Sequence, residues 1–281
     1  MALAAFCWGI SGGIGGILMG RDWDPFVVSF YRGAVGLLIV LCWLGLRPRG
    51  SGLGNRRLWF WSVVAGLGVA GNFTFYFLSI SHGSLAVAAT LMYCAPVFVY
   101  LVSFALKLEQ PSLFKWAAVC MVMLGIVLLT GLYEVDAGKV SPISLVTGLL
   151  AGLSYAVFIF GFKYASPQGS PQSILVLAFA VLVLLLLWPS DLAQIISVPG
   201  SQDLPLFATL GLVGAGFSFF VYIVGLKQTS PAVASIVAML EPVTASLFGV
   251  SLLGESLDAL QLIGMAIILV TVSAMGFARE K

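Results

Sequence analysis

The chain has 281 residues, of which 60% are hydrophobic and only 9% are charged. A soluble domain averages about 45–50% apolar and about 25% charged residues. Too few charged residues remain to cover a surface that faces water. Composition therefore excludes a soluble globular, disordered, collagenous or nucleic-acid-binding protein and predicts an integral membrane protein, and the net charge of +2 adds little to this.

Apolar stretches follow one another along almost the whole chain. A membrane-spanning helix needs about 20 apolar residues. Runs such as 174–188 do not alternate apolar and polar residues, as the strands of a transmembrane β-barrel would, so we expect helices. Separation by glycine, proline and charged residues predicts ten membrane helices at 1–20, 26–46, 58–80, 84–106, 113–132, 143–162, 171–190, 204–226, 230–253 and 258–277.

The distribution of basic residues predicts the orientation of these helices. With the N-terminus placed in the cytoplasm, most Lys and Arg residues between the stretches fall on the cytoplasmic side, and only Arg21 and Lys139 fall outside. Positive residues are enriched in cytoplasmic loops. We therefore expect both termini to be cytoplasmic.

The second half of the chain repeats the first at an offset of 146 residues, because Tyr76 matches Tyr222 and Pro96 matches Pro242 in one register that runs without a gap from Pro25 to Glu109. Each half, 1–135 and 143–281, holds five predicted helices. An odd number means that the second half crosses the membrane in the opposite sense to the first. The sequence thus predicts an all-α membrane protein of ten transmembrane helices in two inverted-topology repeats. Such repeats are typical of secondary transporters, with a substrate site near the middle of the bilayer.

Polar and aromatic residues within the predicted helices indicate a substrate cavity. Intramembrane polar residues usually face protein or a cavity rather than lipid. Asn72 precedes Tyr76 by one turn, as Ser218 precedes Tyr222, so each pair shares a helix face. Ordinary packing between helices is the alternative for every member of this set. The predicted cavity residues are Trp8, Ser11, Asn72, Tyr76, Tyr93, Tyr155, Ser218, Tyr222 and Met239.

Two charged residues lie inside predicted helices. Glu241 would carry a coupling proton or bind a substrate amine, or would be a structural acid bonded to backbone groups that Pro242 frees. Arg32 would receive a substrate carboxylate through its planar guanidinium, or pair with backbone carbonyls. Pro96 and Pro242 remove hydrogen bonds in mid-helix and are candidate hinges.

Other classes of function find little support in the residues. The four cysteines lack metal-ligand spacing and the chain has one histidine, so we expect no metal site and no cofactor. The run Gly9–Gly12 matches the serine motif of rhomboid proteases superficially. An intramembrane protease using Ser11 and His82 is a distant alternative, since His82 falls in a predicted outer loop. We therefore expect no enzyme.

Two segments that match in the repeat carry a family resemblance. GSLAVAATLMYCAPVFVYLVSFALKLE at 83–109 and TSPAVASIVAMLEPVTASLFGVSLLGE at 229–255, with WGISGG at 8–13 and FYR at 30–32, resemble the paired halves of the EamA family of the drug/metabolite transporter superfamily. The resemblance covers essentially the entire chain. It implies a ten-helix carrier in a bacterial cytoplasmic membrane, with both termini inside.

The resemblance also implies a function. Many relatives export amino acids or other small metabolites, so we expect an exporter that works by alternating access. Its expected substrates are aromatic or other hydrophobic amino acids, with other metabolites or drugs as the alternative. The expected partners are a small-molecule substrate and the lipid bilayer, without nucleic acid. The oligomeric state stays open, and a monomer is compatible with the sequence.

Overall fold

The described residues of the computed structural model, 1–48, 50–108, 110, 112–136 and 140–277, contain helices and no β-strand. Predictions that involve Glu109, Lys139 and residues 278–281 lie outside these ranges. The α-helices are α1 (Ala2–Met19), α2 (Pro25–Leu46), α3 (Arg56–Ser81), α4 (Leu85–Met92), α5 (Ala95–Ala105), α6 (Leu113–Leu129), α7 (Pro142–Ala165), α8 (Pro171–Leu186), α9 (Leu192–Ser197), α10 (Leu204–Gly211), α11 (Ser218–Lys227), α12 (Pro231–Ala238), α13 (Leu240–Phe248) and α14 (Ala259–Phe277).

The helices begin where short polar side chains cap them. Asp24 accepts hydrogen bonds from the first backbone N–H groups of α2. Ser84 accepts from the backbone of α4, and its counterpart in the repeat, Ser230, does the same for α12. Such side chains satisfy N–H groups that have no partner within the helix. The matched sequences of the two halves therefore start matched helices in the same way.

The prediction of a multi-pass, all-helical membrane protein is confirmed. In the described part of the chain, eight helical stretches are long and apolar enough to cross a membrane, rather than ten. Two further apolar helices, α6 and α8, are shorter than the predicted stretches 113–132 and 171–190. Gly131 takes a left-handed conformation at φ +68° and ends α6. Pro189 follows α8 and disfavours helical geometry in the residue before it.

Two predicted helices are broken just before a proline. A proline ring clashes with the carbonyl four residues earlier in a continuous helix. Four residues before Pro96 is Met92, the last residue of α4, and four residues before Pro242 is Ala238, the last residue of α12. The two breaks thus follow from the same local chemistry at equivalent points of the repeat.

Two further stretches contain π-helical turns, at Leu212–Phe217 between α10 and α11 and at Gly249–Leu253 after α13. π-Helical turns are rare in proteins, and many of those that do occur lie at functional sites.

Close helix packing builds the interior of the molecule. A Cβ atom on Gly68 of α3 would lie 2.5 Å from the backbone nitrogen of Phe158 on α7, so only glycine permits this approach. In the same way α2 packs on α8, and α1 packs on α13 and on the Leu212–Phe217 turn. Helices α6 and α14 pack mainly on each other. The interior site described next lies among α1–α4, α7, α11 and α13.

Candidate functional site

Glu241 is the second residue of α13, directly after the break at Met239. Its side chain is half-buried. The phenolic hydroxyl of Tyr155, on α7, donates a hydrogen bond to Glu241 Oε2 over 3.2 Å. The broken helix therefore places a carboxylate in the interior, and a neutral donor from a neighbouring helix holds it there.

Arg32 reaches the same region from α2. Its Nε donates to the backbone carbonyl of Gly214, within the π-helical turn, over 2.9 Å. Its guanidinium carbon lies 5.2 Å from the centroid of the Phe73 ring. The described residues give the Arg32 side chain no other hydrogen bond, so the N–H groups of its two terminal nitrogens remain for another acceptor.

The two charged side chains face one region without forming a direct pair. Glu241 and Arg32 interact electrostatically, but no ion pair joins these two described residues. A buried charge is costly unless it is paired and hydrogen-bonded. Each side chain thus keeps unused capacity for a ligand that brings the opposite charge.

Three tyrosines lie within electrostatic range of the carboxylate, and one of them, Tyr155, contacts it directly. Tyr76 of α3, Tyr93 at the break after α4 and Tyr155 of α7 all interact electrostatically with Glu241. Tyr93 and Tyr155 are buried, and Tyr76 is half-buried. The structure therefore brings together five of the residues predicted for the site, from five different helical segments.

A second group of predicted residues forms an aromatic cluster near Glu241 and Arg32. The rings of Trp8 and Tyr222 lie 4.9 Å apart, and those of Trp8 and Phe219 lie 5.0 Å apart. Phe158 connects this cluster to Tyr155, the hydrogen-bond partner of Glu241, because its ring lies 4.4 Å from that of Tyr155 and 6.3 Å from that of Trp8.

Sequence reasoning left Phe158 and Phe219 out of the predicted site. The sequence could have pointed to Phe219, because it matches Phe73 in the repeat and directly follows Ser218. The indication for Phe158 is weaker: it lies one turn after Tyr155 on the same helix face.

Three more predicted cavity residues make contacts within the protein, whereas Ser218 is buried without a hydrogen-bond partner among the described residues. The Ser11 hydroxyl donates to the Trp8 carbonyl in its own helix over 2.8 Å. Asn72 Nδ2 donates to the Ala151 carbonyl over 3.0 Å and so joins α3 to α7. Met239 is completely buried at the helix break.

The protease alternative is not supported. The Ser11 hydroxyl is bonded within α1, whereas His82 follows the end of α3 and interacts with Ser81 and the Leu78 carbonyl. The described residues thus do not form the serine–histidine hydrogen bond that a nucleophile and its base require. The described residues also contain no group of three or more potential metal ligands.

The sequence is similar to known transporters over most of its length. The sequence model of the EamA-like transporter family matches twice, at residues 1–131 and 135–277. An uncharacterized transporter of Archaeoglobus fulgidus is 31% identical, over 88% of this chain and 84% of its own length. The uncharacterized transporter YwfM of Bacillus subtilis is 23% identical, over 99% of this chain and 93% of its own length.

One further relative and one solved structure are also similar to this chain. Protein PecM of Dickeya dadantii is 25% identical, over 87% of this chain and 80% of its own length. The crystal structure of another protein superposes with a TM-score of 0.76, at 17% identity, and covers 97% of this chain and 94% of that one. At this low identity the match shows a shared fold alone.

Proposed function

The chain belongs to the EamA-like transporter family, and we propose that it exports small zwitterionic metabolites, above all aromatic or other hydrophobic amino acids, across a bacterial cytoplasmic membrane. Membership of the family makes it a multi-pass membrane transporter. We propose in addition the class of substrate, the direction of transport and the identity of the membrane.

One observation carries the choice of substrate: Arg32 and Glu241 face a common interior region without pairing with each other. An amino acid carries a carboxylate and an ammonium group on one carbon atom, and it could meet both charges at once. The terminal nitrogens of Arg32 match a carboxylate in a bidentate geometry. Glu241 would accept the ammonium group, and the aromatic rings around it would receive an apolar side chain.

We propose alternating access between two inverted five-helix halves, 1–135 and 143–281, as the mechanism. The repeat in the sequence and the double match of the family model support this division. The equivalent helix breaks before Pro96 and Pro242 are the proposed hinges, since each leaves backbone groups free of the helical pattern. In this scheme α6 and α14, the fifth and tenth helices, lie at the periphery and both termini are cytoplasmic.

Coupling to a proton gradient would act through Glu241, the interior carboxylate of the proposed site. An uncoupled carrier would use the same carboxylate only to bind the ammonium group. The two versions differ in whether an imposed pH gradient changes the rate of uptake.

The test is uptake of labelled phenylalanine, tryptophan and leucine into proteoliposomes, with and without a pH gradient. Phenethylamine and 3-phenylpropionate, which each lack one of the two charges, serve as matched competitors. We expect saturable uptake of the amino acids and weak competition by both analogues. Strong competition by the amine alone would favour cationic drugs or other metabolites as substrates, and uptake at the level of empty liposomes would overturn the amino-acid assignment.

A further inference from the structure

Two buried polar rings, Trp8 of α1 and Tyr222 of α11, lie against each other, and neither their polar atoms nor the hydroxyl of Ser218 one turn away has a hydrogen-bond partner among the described residues. Five buried side-chain polar atoms in the described part of the chain have no such partner, and three of them are Trp8 Nε1, Ser218 Oγ and the Tyr222 hydroxyl. The rings of Trp8 and Tyr222 lie 4.9 Å apart, and Ser218 lies one turn before Tyr222 on α11. Trp8 is 3% exposed, and the other two are completely buried.

This grouping calls for a physical explanation. An unpaired polar group in a protein interior costs folding free energy, because it has lost its hydrogen bonds to water. Native proteins keep few such groups, and each one suggests a partner in another state or a functional role. The other two unpaired groups, Ser62 on α3 and Ser103 on α5, are single hydroxyls elsewhere in the molecule.

We propose that Trp8, Ser218 and Tyr222 form a second, uncharged hydrogen-bonding subsite that receives a hydroxyl or carbonyl oxygen on the side chain of the substrate. The inference rests on the proposed function. It adds a preference for substrates with a polar oxygen on the side chain, which Arg32 and Glu241 alone do not give.

The donor set determines which chemical group fits. The indole N–H only donates, whereas the serine and tyrosine hydroxyls both donate and accept. An oxygen atom, with or without a hydrogen of its own, satisfies this combination. The rings of Phe158 and Phe219 lie against Trp8, so a charged group would lose its hydration among aromatic surfaces. The subsite therefore selects a neutral oxygen.

The position of the subsite fits the end of a side chain. Tyr155 donates to Glu241 on one side and packs against Phe158 on the other, and Phe158 packs against Trp8 and Tyr222. A substrate whose ammonium group is held at Glu241 would direct its side chain past Tyr155 towards this subsite.

The subsite lies between the two halves of the chain, so relative movement of the halves would open it to the transport pathway. Trp8 belongs to the first half of the chain, and Ser218 and Tyr222 belong to the second. The three groups are closed off from solvent here. Movement of one half relative to the other separates α1 from α11 and exposes them to the transport pathway.

The experiment compares labelled tyrosine with labelled phenylalanine, which differ by one hydroxyl group. Uptake of both is measured in proteoliposomes for the unaltered protein and for Trp8→Phe, Ser218→Ala and Tyr222→Phe. The ratio of the two rates within each preparation cancels differences in the amount of active protein. We expect the unaltered protein to prefer tyrosine, and each variant to lower the ratio by about two- to tenfold, the worth of one neutral hydrogen bond.

Ser62→Ala and Ser103→Ala are the matched controls, because each removes a hydroxyl that is equally buried and equally unpaired outside the cluster. Both should leave the ratio unchanged. Uptake of both amino acids with an unchanged ratio in all three cluster variants would overturn the subsite and leave the proposed function intact. Absence of uptake of either amino acid would overturn the amino-acid assignment and the subsite together.

Discussion

Tyr155 on α7 donates its phenolic hydrogen to Glu241 Oε2 on α13 over 3.2 Å, and in this way a neutral group positions the interior carboxylate. A cation in the same place would neutralise the carboxylate and fill the site. Arg32 instead bonds to the Gly214 carbonyl, so its charge stays separate from that of Glu241. The arrangement holds two opposite charges in the interior without pairing them with each other.

Replacement of the interior carboxylate tests its role in binding. We expect Glu241→Gln to lower the apparent affinity for an amino acid by about ten- to a hundredfold, because a hydrogen bond to a charged group is worth about 1.5–3 kcal/mol. The measurement is the concentration dependence of uptake into proteoliposomes. Glu255→Gln is the control, since Glu255 is exposed. Equal affinities for the two variants would contradict the role of Glu241.

The same Glu241→Gln variant tests proton coupling. A glutamine cannot take up or release a proton at this position. If Glu241 carries the coupling proton, the variant loses the response of uptake to an imposed pH gradient while the unaltered protein keeps it. An unchanged response in a correctly inserted variant rules out this role for Glu241.

A conservative change at Arg32 tests the guanidinium geometry. The side chain bonds to Gly214 through Nε while its terminal nitrogens stay free, and an ammonium group cannot reproduce this fork. We expect Arg32→Lys to reduce the apparent affinity for phenylalanine by about tenfold or more, as for other lost charge-assisted hydrogen bonds. Arg57→Lys, at an exposed position near the start of α3, should be silent. Full activity of the Arg32 variant would assign the guanidinium to packing alone.

The approach of α1 to Glu241 depends on a missing side chain. A Cβ atom at Gly9 would lie 2.5 Å from Thr244 Cβ and 2.6 Å from the Glu241 carbonyl oxygen. We expect Gly9→Ala to destabilise the protein by about 1–3 kcal/mol, because the helices must move apart. Its thermal unfolding in detergent is compared with that of Gly16→Ala, whose new methyl group meets nothing within 4 Å. Unfolding at the same temperature in both variants would contradict this account.

An ionised contact on the predicted outer side should respond to pH. Asp203 accepts a hydrogen bond from the Trp23 indole over 2.8 Å and pairs with Arg21. These contacts, first that of Trp23, lower the pKa of Asp203 from its ordinary 3.8. The stabilisation is therefore present above pH 3.8 and is lost as the pH falls through the lowered pKa.

We expect Asp203→Asn to be less stable than the unaltered protein at neutral pH. The difference should shrink as the solution is acidified below the ordinary pKa of the carboxyl, because the unaltered protein then loses the same charge. Thermal unfolding of both proteins over a pH series measures this. A difference in unfolding temperature that does not change with pH would show that the Asp203 charge contributes nothing.

The sequence was informative where local chemistry decides structure. Pro96 and Pro242 marked the two helix breaks, because the clash of a proline ring with an earlier carbonyl is independent of the rest of the chain. Ser84 and Ser230, matched by the repeat, proved to be matched caps. The chemical type of Glu241 and Arg32 made them candidates for the site, since charges are rare among apolar residues.

The meeting of distant residues could not be predicted in the same way. Tyr155 and Glu241 are 86 residues apart, and their contact depends on how the whole fold positions α7 relative to α13. The repeat relates Tyr76 to Tyr222, yet Tyr76 lies within electrostatic range of Glu241 whereas Tyr222 lies in the aromatic cluster. Equivalent positions acquire different neighbours because the residues around them differ between the halves, as Arg32 and its counterpart Ala178 do.

The π-helical turn at Leu212–Phe217 has a geometric consequence for the segment that follows it. Such a turn accommodates one residue more than the same length of α-helix. An α-helix turns about 100° per residue, since it has 3.6 residues per turn. Conversion of this turn to α-helical geometry would therefore swing Ser218 and Tyr222 about the helix axis by roughly that angle relative to α10. A change confined to one hydrogen-bonding pattern would then redirect two buried hydroxyls.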